Sequence, residues 1–153
     1  MTKAHDAGEL AVLERQIDEW LAELARDETH IVAIDRSDDG TIRWYVRMRG
    51  EEKDYTTVWL TLGQRTVRYE AYVLPAPEEN AEALYENLLR RNDRLVGAHF
   101  SIGDEDAVYL RGDVLTSTVD KDQIDRILGT TYATVEQCFR GLLKIGFASR
   151  FAD

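Results

Sequence analysis

The chain has 153 residues, of which 44% are hydrophobic and 31% are charged, proportions typical of a folded domain rather than of a disordered or fibrous chain. Its 19 Lys and Arg against 29 Asp and Glu give a formal net charge of -10, which disfavours nonspecific binding to nucleic acid or to an anionic membrane. The single cysteine excludes an intrachain disulfide. The sequence contains no run of about 18 apolar residues, the length that would predict a membrane span. We expect a soluble cytoplasmic protein with a disordered segment at residues 1–8 and a single domain at residues 9–153.

The N-terminal half predicts one helix followed by four strands. Apolar residues recur at helical spacing over about residues 9–26, with charged residues between them. The period then changes to two, which predicts strands at residues 30–36, 41–49, 55–62 and 66–74, separated by turn residues. Because the connections are short, we expect these strands to pair as an antiparallel meander.

A second helix and a hairpin are predicted next. Pro75 and Pro77 are expected to start this helix, since proline suits the first helical position, and Asn92 is expected to cap its end. Residues 98–102 and 107–111 read as the two strands of a hairpin across an acidic turn, and the second strand has an alternative end at residue 115.

The last predicted element is a long helix. Asp120 followed by Gln123 is typical of a capped helix start, and an apolar stripe continues from there to about Gly146. The predicted order is therefore α-β-β-β-β-α-β-β-α, an α+β fold in which helices pack on one face of a largely antiparallel sheet.

Residues 67–111 combine a helix, a hairpin and an acidic turn in a characteristic pattern. The matching positions are Leu84, Leu88, Leu89 and Asn92, then the run Gly97-Ala98-His99-Phe100-Ser101-Ile102, and then Val108-Tyr109-Leu110. This pattern resembles the YbjN family of bacterial sensory transduction regulators. The resemblance implies the fold of type III secretion chaperones, which bind unfolded or extended segments of partner proteins and usually act as dimers. The strongly apolar residues 138–151 depart from that pattern.

Motifs for catalysis or for a cofactor are missing from the sequence. None of the 3 histidines lies at a spacing that places two imidazoles on one metal ion. Cys138 lies on the apolar stripe of the last helix, where a thiol acts as a small hydrophobe. The acidic clusters at residues 38–39 and 104–106 lack the further oxygen ligands of a calcium loop. We expect a protein that is not an enzyme and holds no cofactor or metal.

Arg43, Tyr45 and Arg47 are the first candidate partner-binding residues. Strict alternation places them on the strand face opposite its apolar residues. Guanidinium groups beside a tyrosine can bind carboxylate or phosphate and stack on rings, so this face is a candidate surface for an anionic ligand or partner. The alternative is a solvated face whose arginines form salt bridges with nearby acids, namely Glu51, Glu52, Asp54 and Glu70.

Phe139, Leu142, Leu143 and Phe147 are the second candidate set. Together with their neighbours they crowd the end of the chain more densely than one helix face can hide. Two interpretations stay open, which are extra packing onto the sheet and a homodimer seam or groove for a partner segment.

Two functions fit these features. The first hypothesis is a non-catalytic protein-interaction module, chaperone-like or regulatory, that binds a partner polypeptide, with a homodimer as a further alternative. The second is a small-ligand sensor with a pocket between sheet and helices, in which Arg43, Tyr45 and Arg47 contact the ligand.

Overall fold

A computed structural model describes residues 4–151 of the chain, and these residues form three α-helices and six strands, with three short 3-10 turns besides. The elements are α1 (Ala7–Asp27), β1 (Ile31–Arg36), β2 (Arg43–Arg49), β3 (Tyr55–Leu62), β4 (Thr66–Leu74), α2 (Ala81–Asn92), β5 (His99–Ile102), β6 (Val108–Leu115) and α3 (Lys121–Gly146). This order matches the predicted one, so the α+β fold is confirmed.

All six strands belong to one antiparallel sheet with the order β1-β2-β3-β4-β6-β5. The first four strands form the predicted meander, β6 pairs with β4, and β5 takes the outer edge. Side chains of β2, β3 and β4 alternate between buried and accessible, as expected of a sheet with helices on one face only. We call the other side, which no helix of the described residues covers, the open face.

The core on the helix side has two parts. The first lies where α1 and the beginning of α3 pack on β2, β3 and β4. The second lies where α2 and the end of α3 pack on β4, β5 and β6. The long helix α3 therefore spans both parts, and its buried residues run from Ile124 to Gly146.

Capping side chains begin α1 and α3. Asp6 Oδ1 accepts the Glu9 N–H at 2.8 Å and the Glu9 carboxylate accepts the Asp6 N–H at 3.2 Å, which makes a complete capping box. Helix α1 thus begins at Ala7, two residues earlier than predicted; of the segment predicted to be disordered, residues 1–3 lie outside the described part of the chain. The predicted cap of α3 is confirmed, with Asp120 Oδ1 accepting the Gln123 N–H at 2.8 Å.

The predicted start of α2 at Pro75 or Pro77 is wrong, because the helix begins at Ala81. Residues 75–80 form a loop instead, and two N–H groups of this loop donate to the Gly146 carbonyl at 2.9 and 3.1 Å. The end of α3 therefore holds this segment outside a helix, which a local reading of prolines does not reveal.

Two side-chain clamps fix helices to the sheet. Trp44 is buried on β2, and its indole N–H donates to Asp18 Oδ1 on α1 at 2.7 Å. Asn92 ends α2 and exchanges two hydrogen bonds with the backbone of Phe100 on β5, at 2.7 and 3.1 Å. Each clamp satisfies polar groups that burial would otherwise leave unpaired.

Candidate partner-binding surface

The open face carries a cluster of arginine and aromatic side chains on the two inner strands β2 and β3. Hydrogen-bond register places Tyr45 opposite Trp59, Arg43 opposite Thr61 and Arg49 opposite Tyr55. We call Arg43, Tyr45, Arg47, Tyr55 and Trp59 the arginine–aromatic patch. Because β1 and β4 flank these strands on either side, the patch rests on backbone that is paired along both edges.

Within the patch the side chains hold one another in place. Arg43 donates from Nε to Thr61 Oγ1 at 2.9 Å, and its guanidinium lies 5.2 Å from the centre of the Trp59 ring. Arg47 stacks over Tyr55 at 3.8 Å. Such contacts are attractive because the ring face is electron-rich and the guanidinium is cationic.

Aromatic surface is accessible at this patch. Tyr45 and Trp59 meet edge to face with ring centres 5.1 Å apart, which is a favoured geometry for aromatic pairs. Tyr55 is 38% exposed and Trp59 is 37% exposed, although both are large apolar side chains. Sequence reasoning identified Tyr45 but missed Tyr55 and Trp59; their signal was the alternation of β3, which places them out of phase with buried Val58 and Leu60.

The salt bridges expected from the sequence form elsewhere. Glu52 pairs with Arg140 of α3 at 2.7 Å, away from the patch. Glu70 lies on β4 and contacts Arg68 at 3.6 Å and Arg111 at 3.3 Å. Among the residues that the structure describes, no carboxylate forms an ion pair with either arginine of the patch.

The β4–β6 half of the open face differs, since its charges are matched internally. Arg111 contacts Glu70, donates to Ser101 Oγ at 3.1 Å, and stacks on Tyr109 at 4.1 Å. Tyr72 meets Tyr109 edge to face at 5.7 Å, and partial burial raises the pKa of Tyr72. This half is thus a closed network, whereas the patch has unused hydrogen-bond donors.

The second candidate set divides between the core and the surface. Leu142 and Phe147 are buried, in the part of the core that α2 covers. Phe139 and Leu143 are half-buried at its margin, and Lys53 Nζ lies 5.7 Å from the Phe139 ring. Burial therefore gives Leu142 and Phe147 the packing role that the sequence left open and removes them from the accessible surface.

The turn between β2 and β3 docks onto α3. The Glu136 carboxylate accepts the N–H groups of Glu51 and Glu52 at 3.1 and 2.8 Å, and Tyr132 donates its hydroxyl to the Arg49 carbonyl at 3.1 Å. These contacts hold the turn on the helix side, where Glu52 pairs with Arg140.

A cleft of about 520 Å³ lies between the sheet and α3, a volume that suits a small ligand. Its lining includes Tyr69, Arg126 and Thr131. The sensor hypothesis assigned Arg43, Tyr45 and Arg47 to such a pocket, and this assignment is wrong, because all three lie on the opposite face of the sheet.

The described residues contain no group of three His, Cys, Asp or Glu side chains close enough to hold a metal ion. His30 packs against the Tyr132 ring at 4.8 Å. Cys138 is buried, and burial raises the pKa of its thiol to about 11. None of the helices in residues 4–151 is long and apolar enough to cross a membrane.

The chain is similar in sequence to proteins of two mycobacteria. An uncharacterised protein of Mycobacterium leprae is 39% identical over 111 residues, which cover 72% of this chain and 60% of that protein. An uncharacterised protein of Mycobacterium tuberculosis is 40% identical over 104 residues, or 68% of this chain and 57% of that protein. The chain thus spans about three fifths of the length of these relatives.

Two solved structures are similar in fold. A chain in the crystal structure of the ExsC–ExsE complex superposes with a TM-score of 0.59 at 19% identity, covering 85% of this chain and 96% of that chain. A chain in the heterodimeric ExoU–SpcU complex from the type III secretion system of Pseudomonas aeruginosa gives 0.49 at 17% identity, covering 82% and 96%. The first likeness confirms the predicted fold.

The family profile described as "Putative bacterial sensory transduction regulator" matches residues 14–144, from within α1 to the last turn of α3. The match includes the helix, hairpin and acidic turn that carry the resemblance in the sequence. Since it covers most of the chain, this protein belongs to the YbjN family.

Proposed function

We propose that this protein is a non-catalytic protein-interaction module, chaperone-like or regulatory, which binds a partner polypeptide in the cytoplasm through the open face of its sheet. The observation that carries this proposal is the arginine–aromatic patch, where exposed Trp59 and Tyr55 adjoin two arginines that have no ion pair among the described residues. Trp, Tyr and Arg are the residue types that contribute most binding energy at protein interfaces.

Burial of the C-terminal residues moves the proposed contact surface to the sheet. Leu142 and Phe147 stabilise the fold, so substituting them would confuse lost folding with lost binding. Phe139 and Leu143 are half-buried and are secondary contacts at most. The arginine–aromatic patch, in contrast, can be altered without opening the core.

The ExsC–ExsE structure supports a polypeptide partner, because a chain of this fold occurs there in a complex. A homodimer is the competing arrangement. Native mass spectrometry of the purified protein separates the two, since a dimer and a complex with a different polypeptide differ in mass.

The proposal is tested by placing a photo-crosslinking residue on each side of the protein in its own cells. The open-face variant is Tyr72→benzoylphenylalanine, and the matched helix-side variant is Glu19→benzoylphenylalanine, which lies on exposed α1 surface. We expect a specific crosslink at position 72 only. The crosslinked polypeptide is then produced in purified form, and its affinity is measured for the native protein and for Arg43→Ala/Arg47→Ala.

Weaker binding of the purified partner by the double variant, at unchanged helix content, supports the proposal. Crosslinks only at position 19, or equal affinity for both proteins, would contradict it.

The cleft against α3 favours a second candidate function, a small-ligand sensor. A ligand that binds only the native state must raise the melting temperature, by an amount that depends on its concentration. The sensor would be supported by a small molecule that is retained through native purification and raises the melting temperature of the native protein. The same molecule should not raise the melting temperature of Arg126→Ala.

A further inference from the structure

We infer that the partner segment is an extended acidic strand lying along β2, whose carboxylates bind Arg43 and Arg47 and whose intervening side chain packs on Tyr45 and Trp59. This inference rests on the proposed function and specifies the chemistry of the partner at the arginine–aromatic patch.

The two arginines of the patch have guanidinium nitrogens available to bind carboxylates. Arg43 uses only Nε, on Thr61, which leaves both terminal nitrogens of its guanidinium as donors. The Arg47 guanidinium lies over the Tyr55 ring, 3.8 Å from its centre, and its nitrogens form no hydrogen bond or ion pair within residues 4–151. A stacked guanidinium loses less conformational entropy when it binds a carboxylate bidentately, because its plane is already oriented.

Among the described residues, the arginines of the patch form no ion pair, unlike the arginines of β4 and β6. On β4 and β6, Glu70 is shared by Arg68 and Arg111. Asp35 on β1 lies opposite Tyr45 on β2 and forms no ion pair with Arg43 or Arg47. The Asp39 carboxylate accepts hydrogen bonds from the Ser37 hydroxyl at 2.6 Å and the Thr41 N–H at 2.9 Å, and it interacts with Arg43 electrostatically without forming an ion pair. The two arginines are therefore available for direct pairing with carboxylates of a bound segment.

The spacing of the arginines indicates an extended partner. Positions 43 and 47 are four residues apart on one strand face, which corresponds to about 14 Å at about 3.4 Å per residue. Carboxylates four residues apart on an extended chain have the same separation and the same facing. Arg49 adds a third cation two residues further, and Tyr45 with Trp59 fills the interval between the first two. The matching motif is an acidic residue, an apolar residue at the second position after it, and acidic residues at the fourth and sixth.

A polypeptide with two or three carboxylates fits this face better than a nucleic acid. Asp35, Glu70 and Asp113 interrupt the arginines across the sheet, and the whole chain carries a net charge of -10. A continuous polyanion would place phosphates beside these carboxylates as well as beside the arginines, whereas separated carboxylates can lie at the arginines alone.

The test uses the labelled peptide Thr-Glu-Thr-Val-Thr-Glu-Thr-Glu-Thr, which carries the motif, and its counterpart with Gln in place of each Glu. Fluorescence anisotropy measures affinity, and amide NMR shifts locate the binding surface. We expect the acidic peptide to bind with a dissociation constant of about 1 mM or lower, and the Gln peptide to bind about tenfold more weakly. The amide shifts should be confined to β2 and β3.

The decisive variant is Arg43→Glu/Arg47→Glu, which should lose the acidic peptide and gain the peptide with Lys in place of Glu. Its matched control is Arg15→Glu/Arg94→Glu, which makes the same charge change at two exposed arginines on the helix side. If both variants weaken binding equally, net charge explains the effect and the inference fails. It also fails if the acidic peptide does not bind, or if a nine-nucleotide oligouridylate binds the patch more tightly.

Failure of this inference differs from failure of the proposed function. If a polypeptide crosslinks at position 72 and needs the patch, but the crosslinked segment is basic or apolar, the module stands and the acidic strand is wrong. If no polypeptide contacts the open face, both are wrong.

Discussion

Leu142→Ala should lower the free energy of unfolding by about 3 kcal/mol, within the range of about 2–5 kcal/mol for truncating a buried leucine. Leu142 is 0% exposed and packs in the part of the core between α2, α3 and the sheet. The surrounding elements limit collapse into the space left behind, since α3 packs so closely at Gly146 that an added Cβ would crowd Pro77 and Leu84. The cost therefore includes both the lost burial and the cavity.

The assay is urea unfolding followed by circular dichroism, with Leu89→Ala as the matched control. Leu89 lies on α2 and is 69% exposed, so its truncation should change stability by no more than about 0.5 kcal/mol. At about 2–4 °C per kcal/mol for a domain of this size, the melting temperature of Leu142→Ala should fall by about 6–12 °C.

This reasoning would be refuted by a Leu142→Ala protein with native stability and a changed oligomeric state or partner affinity. Such a result would place the side chain in an intermolecular seam, the interpretation that its burial in the single chain argues against.

Three further outcomes are expected. Glu136→Ala should destabilise the protein by about 1 kcal/mol in urea unfolding and speed hydrogen exchange in the β2–β3 turn, because two N–H groups lose their acceptor, while the neighbouring exposed Gln137→Ala should do neither. Hydrogen bonds from Ser37, the largest cause, and from Thr41 lower the pKa of Asp39 to about 2, so the stability they contribute is present above the ordinary Asp pKa of about 3.9 and is lost as pH falls through about 2; Ser37→Ala should raise this pKa in an NMR titration. Burial raises the pKa of Cys138 to about 11, so the thiol should react with a disulfide reagent at pH 8 only after unfolding; rapid reaction of the native protein would contradict its burial.

Elements whose signals are local could be predicted from the sequence. The bounds of β3 and β4 match the predicted residues 55–62 and 66–74, because alternation and turn residues define both ends. The start of α3 after Asp120 and its end at Gly146 are also as predicted, since a cap and a continuous apolar stripe mark them.

Features that depend on distant contacts could not be predicted. The start of α2 is set by hydrogen bonds from its preceding loop to Gly146, far along the chain. The salt bridge between Glu52 and Arg140 follows from docking of the β2–β3 turn on α3, where Glu136 binds the backbone. The burial of Leu142 depends on whether α2 covers the end of α3, which cannot be determined from one sequence.

The same alternation that buries one side of β2 builds the candidate site on the other. Trp44, Val46 and Met48 are almost fully buried, and a shift of one residue in strand pairing would exchange them with the arginines and Tyr45. The cost of burying arginines and exposing this core therefore fixes the register of the arginine–aromatic patch. A surface held in this way by inner strands loses little conformational entropy when it binds. We thus expect patch substitutions to change affinity at nearly constant stability, whereas core substitutions should change stability first and binding only through loss of the folded state.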